Sequence, residues 1–289
     1  MIQRLRFSIV AILGVLSILC SLAGAQVIAN VRDVIASIAK GSDSAERRRA
    51  ITAQLDAAGI EYRLEDFEDA RMRKGVNVVA AVSQGQPKTI LIGAHYDRVA
   101  VGEGALDNAA SCAALLDLLS RFKAKPLANY RLTAVFFDLE EGGLGGSQAY
   151  FASGPDKQSP TYAINLDIFG YGDSIWAAVS KPEGNLSSAL QQASTRTNFP
   201  VRTSPPAEYP ASDHRNMIGA GIETLGVALI DGSEIDGVLN LLARRTTQVP
   251  PILTIIHTPK DTVEATRPGD IEKGIAFLER LIRLTDEKF

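Results

Sequence analysis

Cysteine is almost missing from this chain. Two occur in 289 residues, Cys20 and Cys112, so a disulfide-rich scaffold is excluded. A basic excess is missing too: 30 Lys and Arg stand against 33 Asp and Glu, for a formal charge of −3. That balance provides no field for general nucleic-acid binding. Aromatics reach only 6%, too few for a platform that stacks single-stranded bases. Histidine is scarce at three residues, so each placement carries information. What is present, 46% hydrophobic and 22% charged residues, is the balance of a globular protein.

The first apolar run stands apart from the rest. Arg4 and Arg6 precede apolar residues 7–22, and Ala23-Gly24-Ala25 then offers the small residues after which signal peptidase cuts. The expectation is a signal peptide over residues 1–25 and one domain over residues 26–289. The alternative is an uncleaved anchor, but the run is shorter than the roughly 20 residues a spanning helix needs. Lipid attachment at Cys20 is disfavoured by the bulk of Leu19. Cleavage would remove two arginines and no acid, leaving 28 basic against 33 acidic residues and a charge of −5. It would also leave Cys112 alone, so stability must come from a hydrophobic core, which a chain this long buries easily. The expected location is periplasmic or secreted, with no stable membrane association after cleavage.

From residue 44 onward, helical and strand patterns alternate. Residues 44–58, 107–122 and 270–284 place apolar side chains at helical spacing. Residues 77–82, 89–94, 132–137, 162–166, 223–230 and 253–256 are apolar runs of strand length. This order argues an α/β sheet covered by helices on both faces. Unbroken apolar strands fit central positions buried on two sides. Residues 231–250 give no clear pattern, and no repeat or linker divides the chain.

Polar residues with metal-binding chemistry follow these runs directly. One run ends at His95-Tyr96-Asp97, another at Asp138-Leu139-Glu140-Glu141, a third at Asp167 and a fourth at His257. Asp107 and Asn108 open the helix after the first. Carboxyl ends of strands are where open α/β sheets bind ligands. Each residue has a plainer use: a surface histidine, a helix cap at Asp107, solvated loop acids. Those uses would all have to hold independently, and two of three histidines would have to follow apolar runs by accident.

Together the residues suit two metals. Zinc accepts imidazole nitrogen and carboxylate oxygen and keeps an open position in catalytic sites. Two histidines and three carboxylates serve two ions if one carboxylate bridges. A further carboxylate is needed as general base, and the pair Glu140-Glu141 can divide ligand and base between them. Asp97, two residues after His95, can hold the second imidazole nitrogen.

At this point the chain resembles the co-catalytic two-zinc aminopeptidases, the family that includes the glutaminyl cyclases. The resemblance rests on Gly93-Ala94-His95-Tyr96-Asp97, Gly104-Ala105-Leu106-Asp107-Asn108-Ala109-Ala110, and Phe136-Phe137-Asp138-Leu139-Glu140-Glu141-Gly142-Gly143-Leu144-Gly145-Gly146-Ser147. Asn165-Leu166-Asp167, Ser212-Asp213-His214 and Ile256-His257-Thr258-Pro259-Lys260-Asp261-Thr262 continue it in family order. The resemblance implies a three-layer α/β/α sandwich around a mixed, mainly parallel sheet. It implies one zinc on His95 and Asp167, a second on Glu141 and His257, and Asp107 bridging. Glu140 would be the catalytic base and Asp97 would orient His95. The implied activity is zinc-dependent hydrolysis of the first bond of a peptide with a free N-terminus. Asp213 and His214 fall near the family's substrate cleft and receive no ligand role.

Two departures qualify the resemblance. Some members place Tyr before the last metal-binding His, whereas Ile256 stands here, which leaves Tyr209 and Arg215 as candidates for oxyanion support. The polar stretch 155–159 before the Asp167 strand is too short to hold an inserted lid or protease-associated domain. Two other readings stay open: a glutaminyl cyclase-like acyltransferase, and an envelope binding protein that has lost catalysis. The full ligand set with His95 argues against the first, and Glu140 argues against the second.

Overall fold

The computed structural model describes residues 30–82, 85–152 and 160–287. The expected signal peptide and the stretch 155–159 lie outside the described residues. Two helices, α1 (Val31–Ala39) and α2 (Ser44–Ala57), come first. Asp43 caps α2, its side chain accepting from the Glu46 N–H at 2.8 Å. Strands β1 (Tyr62–Glu68), β2 (Lys74–Val82) and β3 (Lys88–His95) follow, then α3 (Ala110–Ala124) and β4 (Tyr130–Phe137). Next come α4 (Gly145–Ala152), β5 (Tyr162–Leu166), β6 (Ser174–Val179), α5 (Asn185–Thr197) and β7 (Val201–Ser204). The chain continues through α6 (His214–Gly219), β8 (Glu223–Ile230), α7 (Gly232–Leu242) and α8 (Pro268–Asp286).

The eight strands form one sheet in the order β1-β2-β4-β3-β5-β8-β6-β7. The central run β4-β3-β5-β8 is parallel throughout; the pairs β1-β2, β2-β4 and β8-β6 are antiparallel, and the edge strand β7 is parallel to β6. The sheet is therefore mixed and mostly parallel, as expected from the sequence. Because β4, β3 and β5 run the same way, the residues after each strand meet at one edge.

Strand periodicity divides the core into two layers. Ile90 and Ile92 of β3, with Leu132, Ala134 and Phe136 of β4, pack against buried residues of α1, α2, α3, α5 and α8. Leu91 of β3, with Val135 and Phe137 of β4, faces the other way and meets Met217 of α6. Trp176 and Ala178 of β6 and Ala228 and Ile230 of β8 extend that second face against Ile235 and Val238 of α7. With both faces covered, alternate residues are equally apolar, which explains the unbroken runs in the sequence.

Two expectations are corrected. Residues 253–256 are not a strand: Pro251–Thr254 is a short 3-10 helix and the chain then turns into His257. Consecutive prolines Pro250 and Pro251 offer no N–H to a ladder, and Ile252 N–H donates instead to Glu234 Oε2 at 2.7 Å. Nor does helix begin at Asp107. Residues Ala105–Ala109 form a wide turn in which Asp107 and Asn108 are non-helical and joined by a cis peptide, and α3 starts at Ala110.

Candidate metal centre

His95 is the last residue of β3 and is almost fully buried. Its Nε2 lies 3.1 Å from Asp107 Oδ1 and 3.5 Å from Asp167 Oδ1. The second oxygen of Asp107 lies 3.1 Å from His257 Nε2, and Glu141 Oε2 lies 3.1 Å from that same nitrogen. One carboxylate thus presents an oxygen to each of two histidines that are 162 positions apart, as His95 and His257 are numbered. Two donor groups result, each compact enough for one ion: His95, Glu140 and Asp167, and Asp107, Glu141 and His257.

All seven residues singled out from the sequence gather here, and Asp97 acts more broadly than expected. Its Oδ1 sits 3.4 Å from His95 Nδ1, too poorly aligned to satisfy that nitrogen. Its two oxygens accept the backbone N–H groups of Glu140 and Glu141 at 3.0 and 3.1 Å. The same carboxylate therefore sets the Glu140-Glu141 loop and lies beside the imidazole. Arg71 and Arg73 grip the far side of that loop, both donating to the Gly142 carbonyl, at 2.9 and 3.0 Å.

The electrostatics call for cations. Burial pushes Glu140 up to about 9, with the charges of Asp167, Asp213 and Asp107 adding to it. Burial likewise pushes Glu141 up to about 7, with Asp107 adding. For His95, burial opposes the charged form, but Glu140, Asp107, Asp167 and Asp97 together hold its pKa well above the ordinary value. Hydrogen bonding to Asp107 lifts His257 to about 9. Protons are retained where positive charge is needed, between crowded carboxylates and imidazoles. Glu141 Oε1 and Asp167 Oδ1 are buried without a hydrogen-bond partner. Mixed nitrogen and oxygen donors with unsatisfied buried oxygens fit zinc, with Asp107 placed to bridge.

Several supporting residues escaped the sequence reading. The Asn108 amide donates to the Leu166 carbonyl at 3.0 Å and accepts from the Ile168 N–H at 3.2 Å, so it clasps the backbone on both sides of Asp167. Asp261 accepts from the Leu106 and Asp107 N–H groups at 2.7 and 3.3 Å. Arg47 of α2 is fully buried and donates to the carbonyls of Tyr96, Glu103 and Gly104. Asn108 and Asp261 lay inside quoted motifs without a role assigned to either, and Arg47 lay in none. Asp213 is fully buried with both oxygens unpartnered, and burial raises its pKa to about 7. His214 is also buried, its pKa lowered to about 4 by burial, and its ring packs edge-on against Tyr209 at 5.4 Å. Both of its ring nitrogens are buried without a hydrogen-bond partner.

A small apolar pocket of about 50 Å³ opens beside Asp167, lined by Trp176, Tyr209, Ala228, Ile230, Val238 and Ile252 among others. The Tyr209 hydroxyl is turned to the Trp176 carbonyl at 3.5 Å. Arg215 is exposed on α6 and lines a wider cleft beyond Tyr209.

The sequence matches Peptidase family M28 over residues 77–278, more than half of the chain. The chain belongs to that family. Every residue of the two donor groups, from His95 to His257, lies within the M28 match. A vacuolar membrane protease of Verticillium alfalfae is 36% identical over 109 residues, covering 37% of this chain and 10% of that relative. The structure of BSAP, a zinc aminopeptidase from Bacillus subtilis, is similar with a TM-score of 0.61 at 20% identity, over 73% of this chain and 50% of that one. A Bacteroides thetaiotaomicron glutaminyl cyclase bound to N-acetylhistamine gives 0.70 at 15% identity, over 88% and 96% of the two chains. At these identities the M28 chain shares a fold with both structures. It matches only a tenth of the length of the fungal relative and half of the Bacillus chain.

Proposed function

We propose that this M28 chain is an exported zinc aminopeptidase that removes the first residue of a peptide with a free N-terminus. The observation that carries the reading is Asp107, one carboxylate with its two oxygens directed at two different histidines. His95, Asp167 and Asp107 would hold one zinc, and Glu141, His257 and Asp107 the other. When bound, the metals supply Lewis-acid activation of water and of the scissile carbonyl. Glu140 is the group that takes a proton from the attacking water and returns it to the leaving amine. Its carboxylate stands in the same cluster, beside His95 and Asp167. Asp97 holds Glu140 in place through its backbone N–H and places a negative charge beside His95. The pocket beside Asp167 selects an apolar first side chain of moderate size, because its lining offers Trp176, Ile230, Val238 and Ile252 and no free charge other than Asp167.

The test is a panel of aminoacyl-nitroanilides on zinc-loaded protein, with a peptide beginning in glutamine alongside. Turnover fastest with leucine, methionine or phenylalanine supports the reading. Cyclisation of the glutaminyl peptide without anilide release would favour the acyltransferase, whose Bacteroides counterpart matches over nearly its whole length. No turnover with zinc bound would favour a binding protein. Export is checked separately: N-terminal sequencing of the envelope fraction should read from Gln26, and an intact Met1 would favour an anchor.

A further inference from the structure

The wider cleft beyond the apolar pocket has a character of its own. It encloses about 770 Å³ and is lined by Arg202, Arg215, Arg245, Glu208 and Asp236, with Tyr209 and Pro210. Tyr209 and Pro210 also line the apolar pocket, so these two residues form a wall common to both spaces. Arg202 is committed to Asp236 at 3.2 Å. Arg215 and Arg245 form no ion pair with any described residue. Glu208 is the remaining carboxylate, so the uncommitted groups leave a net positive charge in a chain whose total is −3. Arg215 stands next to His214 and its charge helps lower that buried imidazole's pKa, so its field reaches inward as well as to solvent. Guanidinium groups at such a position suit a planar carboxylate, which they engage through paired N–H donors.

We propose that this cleft is an anion subsite in which Arg215 and Arg245 receive a carboxylate of the same peptide whose first side chain fills the apolar pocket. The proposal rests on the peptidase reading for the identity of the ligand. The carboxylate has two chemical sources, the C-terminus of a short peptide or an acidic side chain following the first residue. Either would make the enzyme favour short or acidic peptides over neutral ones. Arg215 therefore serves substrate recognition here rather than oxyanion support.

Binding is measured by calorimetry on the zinc-loaded Glu140→Gln chain, so that it does not depend on turnover. Three leucine-first tripeptides are compared: Leu-Gly-Gly with a free carboxylate, its C-terminal amide, and Leu-Glu-Gly amide. At least one anionic peptide should bind about tenfold tighter than the neutral amide, and the tighter one identifies the source. The preference should shrink as salt is raised. Adding Arg215→Ala and Arg245→Ala should bring the ratio to about one, and Arg245→Glu should turn it against the anionic peptide. Equal affinities for all three peptides, or a preference that survives loss of both arginines, would overturn the subsite. Wild-type hydrolysis of leucyl-nitroanilide is run in parallel. Its absence beside a retained carboxylate preference would sink the peptidase reading and leave the anion subsite standing.

Discussion

Asp107 is the residue on which the site turns, because its two oxygens face both histidines. His257 is the more exposed of those histidines, and its nitrogen lies 3.1 Å from both Asp107 and Glu141. His257→Ala should therefore lower zinc content and rate together, with little loss of fold. A variant that keeps full metal and full rate would remove His257 from the site. The residues of the two donor groups were legible in the sequence because each follows an apolar run or opens the next segment, and because two of three histidines were among them. The role of Asn108 was not legible, and Arg47 was not legible at all. Each acts on backbone groups at least 49 positions away, and no local pattern marks a side chain that clasps distant carbonyls.

At the scale of elements, the parallel strands do the positioning and the loops do the fine adjustment. β3, β4 and β5 end side by side, so His95, Glu140 and Asp167 arrive at one edge without long excursions. The loops then adopt conformations that L-residues rarely take: Leu139 at φ +57°, Ile168 at +60° and His257 at +58°. For β-branched Ile168 such a backbone needs outside support, and Asn108 provides it by accepting the Ile168 N–H. Asn108→Ala should cost about 1–3 kcal/mol for the two backbone groups it strands, read by denaturant unfolding. It should also weaken zinc binding through Asp167, whereas an unaltered zinc affinity would show that Asp167 is held by other contacts. The loop after β3 is tied to the His257 loop by Glu103 N–H on the Asp261 carbonyl at 2.7 Å. A Cβ at Gly102 would meet the Thr258 carbonyl oxygen at 2.4 Å, so glycine is required there for close approach. The central strands were readable because burial on both faces makes them uniformly apolar. β1 was not readable, since its alternation is carried by Tyr62, Leu64, Asp66 and Glu68 against Arg63, Glu65 and Phe67. The turn into His257 was misread as a strand because Ile252-Leu253 and Ile255-Ile256 are apolar for another reason. Ile252 and Leu253 line the pocket, and Ile255 and Ile256 pack on the same cluster.

The whole molecule carries the electrical consequence of its site. Without metal, Glu140, Glu141 and His257 have folded-state pKa values raised to about 9, 7 and 9. Each group binds its proton more tightly folded than unfolded, so its stabilising contribution is full at low pH and is lost as pH rises through the raised value. Asp107 has the opposite sign, since its pKa is lowered, and its contribution fades only in acid below the ordinary carboxylate range. Metal-free protein should therefore lose melting temperature as pH rises from the ordinary glutamate value of 4.5 to about 9. Zinc should restore stability most strongly at the alkaline end, where it competes with fewer protons. At free zinc a hundredfold above Kd the gain should be about 2.7 kcal/mol per site. A metal-free melting temperature that is flat across this range would mean the crowding of charge has been relieved in some other way.

The central claim is that Glu140 works as a base beside two metals that it does not hold, and one measurement addresses it directly. Wild type, Glu140→Gln and Glu141→Gln are purified together and assayed for zinc per chain and for leucyl-nitroanilide turnover. Wild type should carry about two zincs. Glu140→Gln should keep both and turn over at least about 100-fold more slowly, because the substitution preserves size and removes only the basic oxygen. Glu141→Gln should lose part of its zinc, and added zinc should recover part of its rate. A Glu140→Gln protein that sheds zinc while Glu141→Gln keeps it would reverse the two roles, and a Glu140→Gln protein with full zinc and full rate would contradict the account.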